Sequence, residues 1–207
     1  MLATSLLQRR PLRNELYQLE HLDHAIVLCL HSPDGTNRLT RACVLALTDT
    51  IKDLASKSKP LIISGNQKFF SAGAGLSEIA AFTSVAAYAF AQMGQTLMNL
   101  IERFPASVYA AIEGYCMGGG LDLALACHHR IASPHAIFGH RGAALGLVTG
   151  WGGTQLLPRL VGKARALQLL VCAEKLHATE AHRIGLADHV VDDPVDFCHS
   201  RARTAVK

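Results

Sequence analysis

One carboxylate stands alone in an apolar run. Between Gly114 and Cys127, Asp122 is the sole charged residue, and it follows three consecutive glycines, Gly118, Gly119 and Gly120. The run it interrupts, Leu121 to Cys127, is otherwise apolar on every side, the pattern of a helix buried in a core. Val108 to Ile112, just before, reads as a buried strand. A strand, a glycine turn and a buried helix start leave backbone amides unpaired at the helix N-terminus, where partial positive charge gathers. Glycines there let a ligand approach the main chain closely. The chemistry on offer is to hold negative charge on N–H groups, with a carboxylate one turn away to move a proton or orient water. The same aspartate also fits an ordinary helix-start residue satisfied by first-turn amides. Both readings stay open on the residues alone.

A second cluster is His140 and Arg141, which precede Gly142. If this segment is extended, His140 shares a side with Gly142 and Arg141 faces the other way. His140 can serve as an acid/base group, bind a carboxylate, or be structural. His128 and His129 close the buried helix, where cationic side chains are favoured. With His135 as their one loose companion they make no convincing metal set, so no metal is expected. Trp151, inside Gly150-Trp151-Gly152-Gly153, can wall a pocket or simply pack.

These residues need a scaffold, and composition bounds it. The 207 residues suffice for one domain with a real core. Half are hydrophobic and 17% are charged, which excludes a disordered chain. The net charge of +4 is spread out, with no basic stripe interleaved with aromatics, so nucleic acid is not an expected partner. No apolar run reaches the length of a membrane span. The six cysteines are scattered without a C-x-x-C pair, mostly among apolar neighbours. That suggests reduced thiols and a cytoplasmic location. Arg9, Arg10 and Arg13, with no acid in the first fourteen residues, faintly suggest a transit peptide. The stretch is short and poor in serine, so residues 1–16 read as an N-terminal extension and 17–207 as a single core domain.

In chain order, Ala25 to Leu30 reads as a strand closed by the turn Ser32-Pro33-Asp34-Gly35. Thr40 can cap a helix carrying Val44, Leu47, Ile51 and Leu54 on one face. Leu61 to Ile63 is a short strand. Phe69 to Leu76 is a small-residue loop rich in exposed amides. A helix over about Ser84 to Arg103 has Phe90, Met93, Leu97, Leu100 and Phe104 as its seam. After the glycine turn, Ala136 to Gly139 reads as a strand and 146–153 as a loose loop. Helical signals resume at Thr154 and over Lys163 to Cys172. Thr179 can cap a short helix ending near Gly185, and Asp188 to Val191 is a last strand. Strands alternating with helices predict an α/β fold with largely parallel pairing.

Four stretches together resemble the enoyl-CoA hydratase/isomerase family, the crotonase superfamily. They are Ser64-Gly65 through Phe70 to Ala74, Ile112-Glu113-Gly114 through Gly120, Phe138-Gly139 through Gly152-Gly153-Thr154-Gln155, and Arg183 to Ala187. The resemblance covers about Ala25 to Val191. It implies a spiral of β-β-α turns, a homotrimer or hexamer, and an acyl-CoA or carrier-protein thioester substrate, with CoA as part of the substrate and no other cofactor. It further implies lyase or isomerase chemistry in which an enolate forms next to the thioester carbonyl. Its oxyanion donors map onto the amides of Ala74 and Gly119. Ala72, Gly73 and Leu76 of the small-residue loop, with Trp151, would line the CoA and acyl site.

The chain departs from the family's pattern at its acids. The resemblance places one glutamate at position 122 and a second at 142. Here they are Asp122 and Gly142, and Gly75 stands where another acid is common. An aspartate withdraws its carboxylate by up to ~1.5 Å, and a misplacement of that size costs about 100-fold in rate. His140 is the candidate replacement for the missing group. Arg141 would reach the surface or a CoA phosphate. The helical region that usually follows is expected to be truncated, since the stretch after Phe197 is basic and shows no apolar stripe. Three functions remain open: an enoyl-CoA hydratase or isomerase, a decarboxylase of malonyl-type thioesters, and a non-catalytic thioester-binding or assembly subunit.

Overall fold

Apolar runs buried on both faces build the centre of the molecule. The computed structural model describes Leu12–Arg13 and residues 15–205. The chain enters through β1 (Leu12–Arg13), β2 (Tyr17–His21) and β3 (Ile26–Leu30), paired antiparallel in succession. β1 thus lies in the stretch expected to be an extension, and β2 had no expected counterpart: its Tyr-Gln-Leu-Glu-His alternation is short and half polar. α1 (Arg41–Ala55) follows, capped by Thr40, whose hydroxyl accepts from the Cys43 amide.

Three β-β-α turns come next. β4 (Leu61–Ser64) and β5 (Phe69–Ser71) lead into α2 (Leu76–Ala80) and α3 (Ser84–Glu102). β6 (Val108–Ile112) and β7 (Tyr115–Met117) lead into α4 (Gly119–Ala126). β8 (His129–Ala132) and β9 (Ile137–Gly139) lead through a single 3-10 turn, Gly142–Leu145, into α5 (Gly153–Val161). The first strand of each turn joins a large parallel stack, β3-β4-β6-β8, and the second joins a small one, β5-β7-β9. This is the expected α/β spiral with largely parallel strands. β4 and β6 are buried along their whole length, as the strands of a covered parallel sheet must be.

The remaining elements close the two sheets. α6 (Lys163–Val171) precedes β10 (Lys175–His177), which pairs antiparallel with β9. α7 (Ala178–Arg183) leads to β11 (His189–Val190), parallel to β8, and α8 (Pro194–Ala205) completes the described chain. Arg130, 3% exposed, ties this end down: it pairs with Asp188 at 3.2 Å and donates to the carbonyls of Cys127 and Leu186. No helix among the described residues is long and apolar enough to cross a membrane.

Several local expectations fail for local reasons. His128 and His129 do not close the buried helix: α4 ends at Ala126, and His129 opens β8. The His128 ring instead accepts from the Val108 amide and lies 3.1 Å from the Glu102 carbonyl oxygen. Thr179 lies inside the first turn of α7, whose N-cap is His177. Cys172 is exposed, while Cys43, Cys116, Cys127 and Cys198 are buried. Burial pushes the Cys43, Cys127 and Cys198 thiols up to about 12, so they are unreactive. The basic stretch after Phe197 does carry an apolar pair: Cys198 and Ala202, one helical turn apart, seat α8 on Ile62, Tyr109 and Ala111. Small residues spaced among charges gave the sequence pattern little amplitude.

α3 tests the core directly, because it packs on both α1 and α4. Leu97 at its centre is fully buried, whereas Leu167 on α6 is 64% exposed. Leu97→Ala is expected to lower unfolding free energy by about 2–5 kcal/mol. Leu167→Ala should stay within about 0.5 kcal/mol of the parent. Urea titrations of the two variants check both values.

Candidate active site

Two loops from different β-β-α turns meet at the start of α4. The loop after β5 is held by an isolated bridge between Arg38 and Gly73. Within it, the Ala72 amide donates to the Thr36 carbonyl and the Gly73 amide to the Ser71 hydroxyl. Gly73 has φ +85 and lies so close to the next loop that a Cβ there would sit 2.6 Å from the Met117 carbonyl oxygen and 2.8 Å from the Gly119 nitrogen. Only glycine permits that approach. On the other side, the Gly118 amide is spent on the Gly139 carbonyl, 2.9 Å away. The next amide in each loop, Ala74 and Gly119, donates no hydrogen bond among the described residues. The Ala74 nitrogen lies 3.4 Å from the place a Gly119 Cβ would take. Two unspent N–H groups therefore stand side by side, one of them at the positive end of a buried helix.

Asp122 lies one turn further along α4 and is 2% exposed. A carboxylate this buried must be paired. Its Oδ1 lies 3.1 Å from His140 Nε2, and its Oδ2 accepts from the Thr149 hydroxyl at 2.7 Å. An ionised carboxylate only accepts, so Nε2 carries the proton of this pair. The other ring nitrogen, Nδ1, has no partner among the described residues. Yet among the described residues the only sealed side-chain polar atom without a partner is Asn37 Oδ1. His140 Nδ1 is therefore accessible, and the space His140 borders is a cavity of about 350 Å³.

The start of α5 closes over the same carboxylate. A Cβ at Gly153 would sit 2.4 Å from Asp122 Oδ1 and 2.8 Å from Thr149 Cγ2. The glycine lets the N-terminus of α5 face Asp122, so the carboxylate sits against two helix starts.

The cavity gathers most of the expected site residues: Ala72, Ala74, Leu76, Gly119, Asp122, His140 and Trp151 all line it. Gly73 does not; it brings the two loops together from behind. Trp151 does both things open to it. It walls the cavity, and it packs 5.1 Å from the Phe90 ring while its Nε1 donates to the Phe90 carbonyl. The extended segment expected at 140–142 is absent, because β9 stops at Gly139 and Arg141 caps the 3-10 turn. His140 thus reaches the site at a strand end, and Arg141 lines the cavity instead of facing away from it. Gly142 has a reason to be glycine: a Cβ there would lie 2.8 Å from the Leu147 carbonyl oxygen. Thr149 and Gly153 were not anticipated. A single hydroxyl in a glycine-rich loop has no periodicity to mark it. No group of three or more His, Cys, Asp or Glu that could hold a metal ion occurs among the described residues.

Residues 23–207 match the family described as enoyl-CoA hydratase/isomerase. The chain belongs to this family. The crotonyl-CoA hydratase of Syntrophomonas wolfei is 39% identical over 178 residues, covering 84% of this chain and 68% of the relative. The human mitochondrial enoyl-CoA hydratase domain-containing protein 2 is 37% identical over 181 residues, 85% of this chain but 62% of that protein. Among solved structures, Pseudomonas aeruginosa DspI superposes with a TM-score of 0.89 at 32% identity, covering 99% of this chain and 84% of the other. The enoyl-CoA hydratase of Bacillus anthracis gives 0.82 at 33% identity, with 90% and 73% covered. The family's fold thus matches the architecture described above. The Asp122, His140 and Thr149 arrangement is read from this chain's own residues.

Thr149→Val would leave Oδ2 of a buried carboxylate without its donor. The expected cost is about 1–3 kcal/mol of unfolding free energy. Thr149→Ser, which keeps the hydroxyl, should recover most of it. Denaturant midpoints of the two variants make the comparison.

Proposed function

We propose that this member of the enoyl-CoA hydratase/isomerase family is an acyl-CoA enzyme that holds the thioester oxygen on the Ala74 and Gly119 amides. The observation that carries the reading is the pair of unspent N–H groups beside one another in an apolar cavity. When an enolate forms, negative charge moves onto the thioester oxygen. Two preset donors stabilise it without reorganising, at about 3–4 kcal/mol each. Relatives named as crotonyl-CoA and enoyl-CoA hydratases support the substrate class. The site is read as a hydratase-type one, acting on a 2-enoyl thioester.

Within this reading the roles of the two titratable groups change. Asp122 lines the cavity, but each of its oxygens already has a partner, His140 on one and Thr149 on the other. It fixes the tautomer and direction of the imidazole, and His140 Nδ1 is the proton carrier. A neutral imidazole takes a proton from water as the oxygen adds to the β-carbon. It then returns that proton to the α-carbon. Gly142 leaves the second acidic position empty, so one ring serves both steps.

Decarboxylation of a malonyl-type thioester is less well supported. It would seat a second carboxylate near His140, and the Asp122 carboxylate 3.1 Å behind that ring repels it. A purely binding role leaves the oriented, accessible imidazole without a purpose.

Crotonyl-CoA is the test substrate, and loss of its enoyl absorbance is the signal. His140→Gln is expected to lower kcat by about 10²–10⁴-fold with little change in KM, as for loss of a general acid–base group. Absence of hydration in the parent protein, with crotonyl-CoA bound, would rule the assignment out.

A further inference from the structure

The constellation at this site answers a second reaction as well as the first. Acyl transfer to water needs a base, a group that orients the base, and donors for the oxyanion of a tetrahedral intermediate. All three meet here. His140 is the base, and Asp122 holds its Nε2 at 3.1 Å. The Thr149 hydroxyl, donating at 2.7 Å, fixes Asp122 in turn. The donors are the Ala74 and Gly119 amides. The main chain sets base and donors next to each other: Met117 pairs with Gly139 at adjacent strand ends, and the Gly118 amide bonds the Gly139 carbonyl. The residue after each is Gly119 on one side and His140 on the other.

We infer that this site also hydrolyses the thioester of saturated acyl-CoA substrates. The inference rests on the acyl-CoA reading above, because it uses the same carbonyl position. In the step, a water oxygen bonds the thioester carbonyl carbon while its proton passes to His140 Nδ1. The carbonyl electron pair moves onto oxygen and is held by the two amides. When the carbonyl re-forms, the C–S bond breaks and the sulfur takes the proton from Nδ1. The products are a carboxylic acid and free CoA thiol, and the imidazole returns to its starting state.

Hydrolysis asks less of this site than hydration does. Adding water across a double bond moves a proton to a carbon, at a point different from the one where water attacks. A second acid at position 142 would serve that step, and a Cβ at Gly142 already meets the Leu147 carbonyl at 2.8 Å. Hydrolysis needs one proton shuttle, and its leaving group is a thiol sulfur that takes up the same proton as it departs. A single oriented imidazole supplies that.

The experiment uses butyryl-CoA, which has no double bond to hydrate, with the full chain. Free CoA is quantified by chromatography, crotonyl-CoA hydration is followed in parallel, and binding of butyryl-CoA is measured by calorimetry for every protein. CoA release above the buffer rate is expected, falling by about 100-fold or more in His140→Gln that still binds butyryl-CoA. Release unchanged in that variant overturns the inference. Hydration of crotonyl-CoA without CoA release from butyryl-CoA also overturns it and leaves the proposed function standing. Release without hydration upholds the inference and overturns the hydratase assignment. Neither activity, with butyryl-CoA bound, overturns both.

Discussion

A carboxylate removed from water sets the terms for this site. Asp122 is 2% exposed, and an ion so placed is tolerated only when donors surround it. Its two partners come from one segment, residues 140–149, an imidazole at its start and a hydroxyl at its end, and the opening of α5 lies against the same carboxylate. The segment has little regular structure of its own beyond the 3-10 turn. It lines much of one wall of the cavity, including Arg141, Leu147 and Val148. The electrostatic need of one side chain thus gives an irregular loop its fixed shape. The wall and the carboxylate form a single unit.

The opposite wall is made by backbone geometry. The Ala74 and Gly119 amides are unspent because their neighbours are spent, on Thr36, Ser71 and Gly139. Rigid partners on each side hold the two N–H groups, carbonyls of Thr36 and Gly139 and the one side-chain hydroxyl of Ser71. That is why small residues suffice there and why the approach of Gly73 to Gly119 matters. A donor that needs no reorganisation is worth more in an apolar cavity than the same donor in water.

Much of this was legible in the sequence. The buried strand before the glycines, the apolar helix after them and its lone aspartate stated their positions directly, because burial on all sides leaves an unambiguous composition. Thr40 named its helix start through a local hydrogen bond. What could not be read was non-local. Thr149 lies 27 residues from Asp122, and no spacing rule links them. The expectation that His140 alternates with Arg141 assumed a strand that stops one residue too early. The seat of α8 rests on Cys198 and Ala202, whose small side chains carry weak patterning amid charges.

The shorter acid at position 122 is better understood as half of a pair than as a defect. A glutamate reaches about one C–C bond further, ~1.5 Å. From the same helical position it would enter the space that the imidazole and the Thr149 hydroxyl occupy. The aspartate stops short and leaves room for His140 beside it in the cavity wall. The proton-accepting atom is then the free ring nitrogen, Nδ1, with the carboxylate on Nε2 as an orienting charge. The glycine at 142 follows from the same arrangement. The turn that brings His140 to Asp122 folds Gly142 against Leu147, and its amide-to-carbonyl closure at 2.9 Å leaves no space for a side chain there. The aspartate at 122, the glycine at 142 and the histidine at 140 thus all fit one loop conformation.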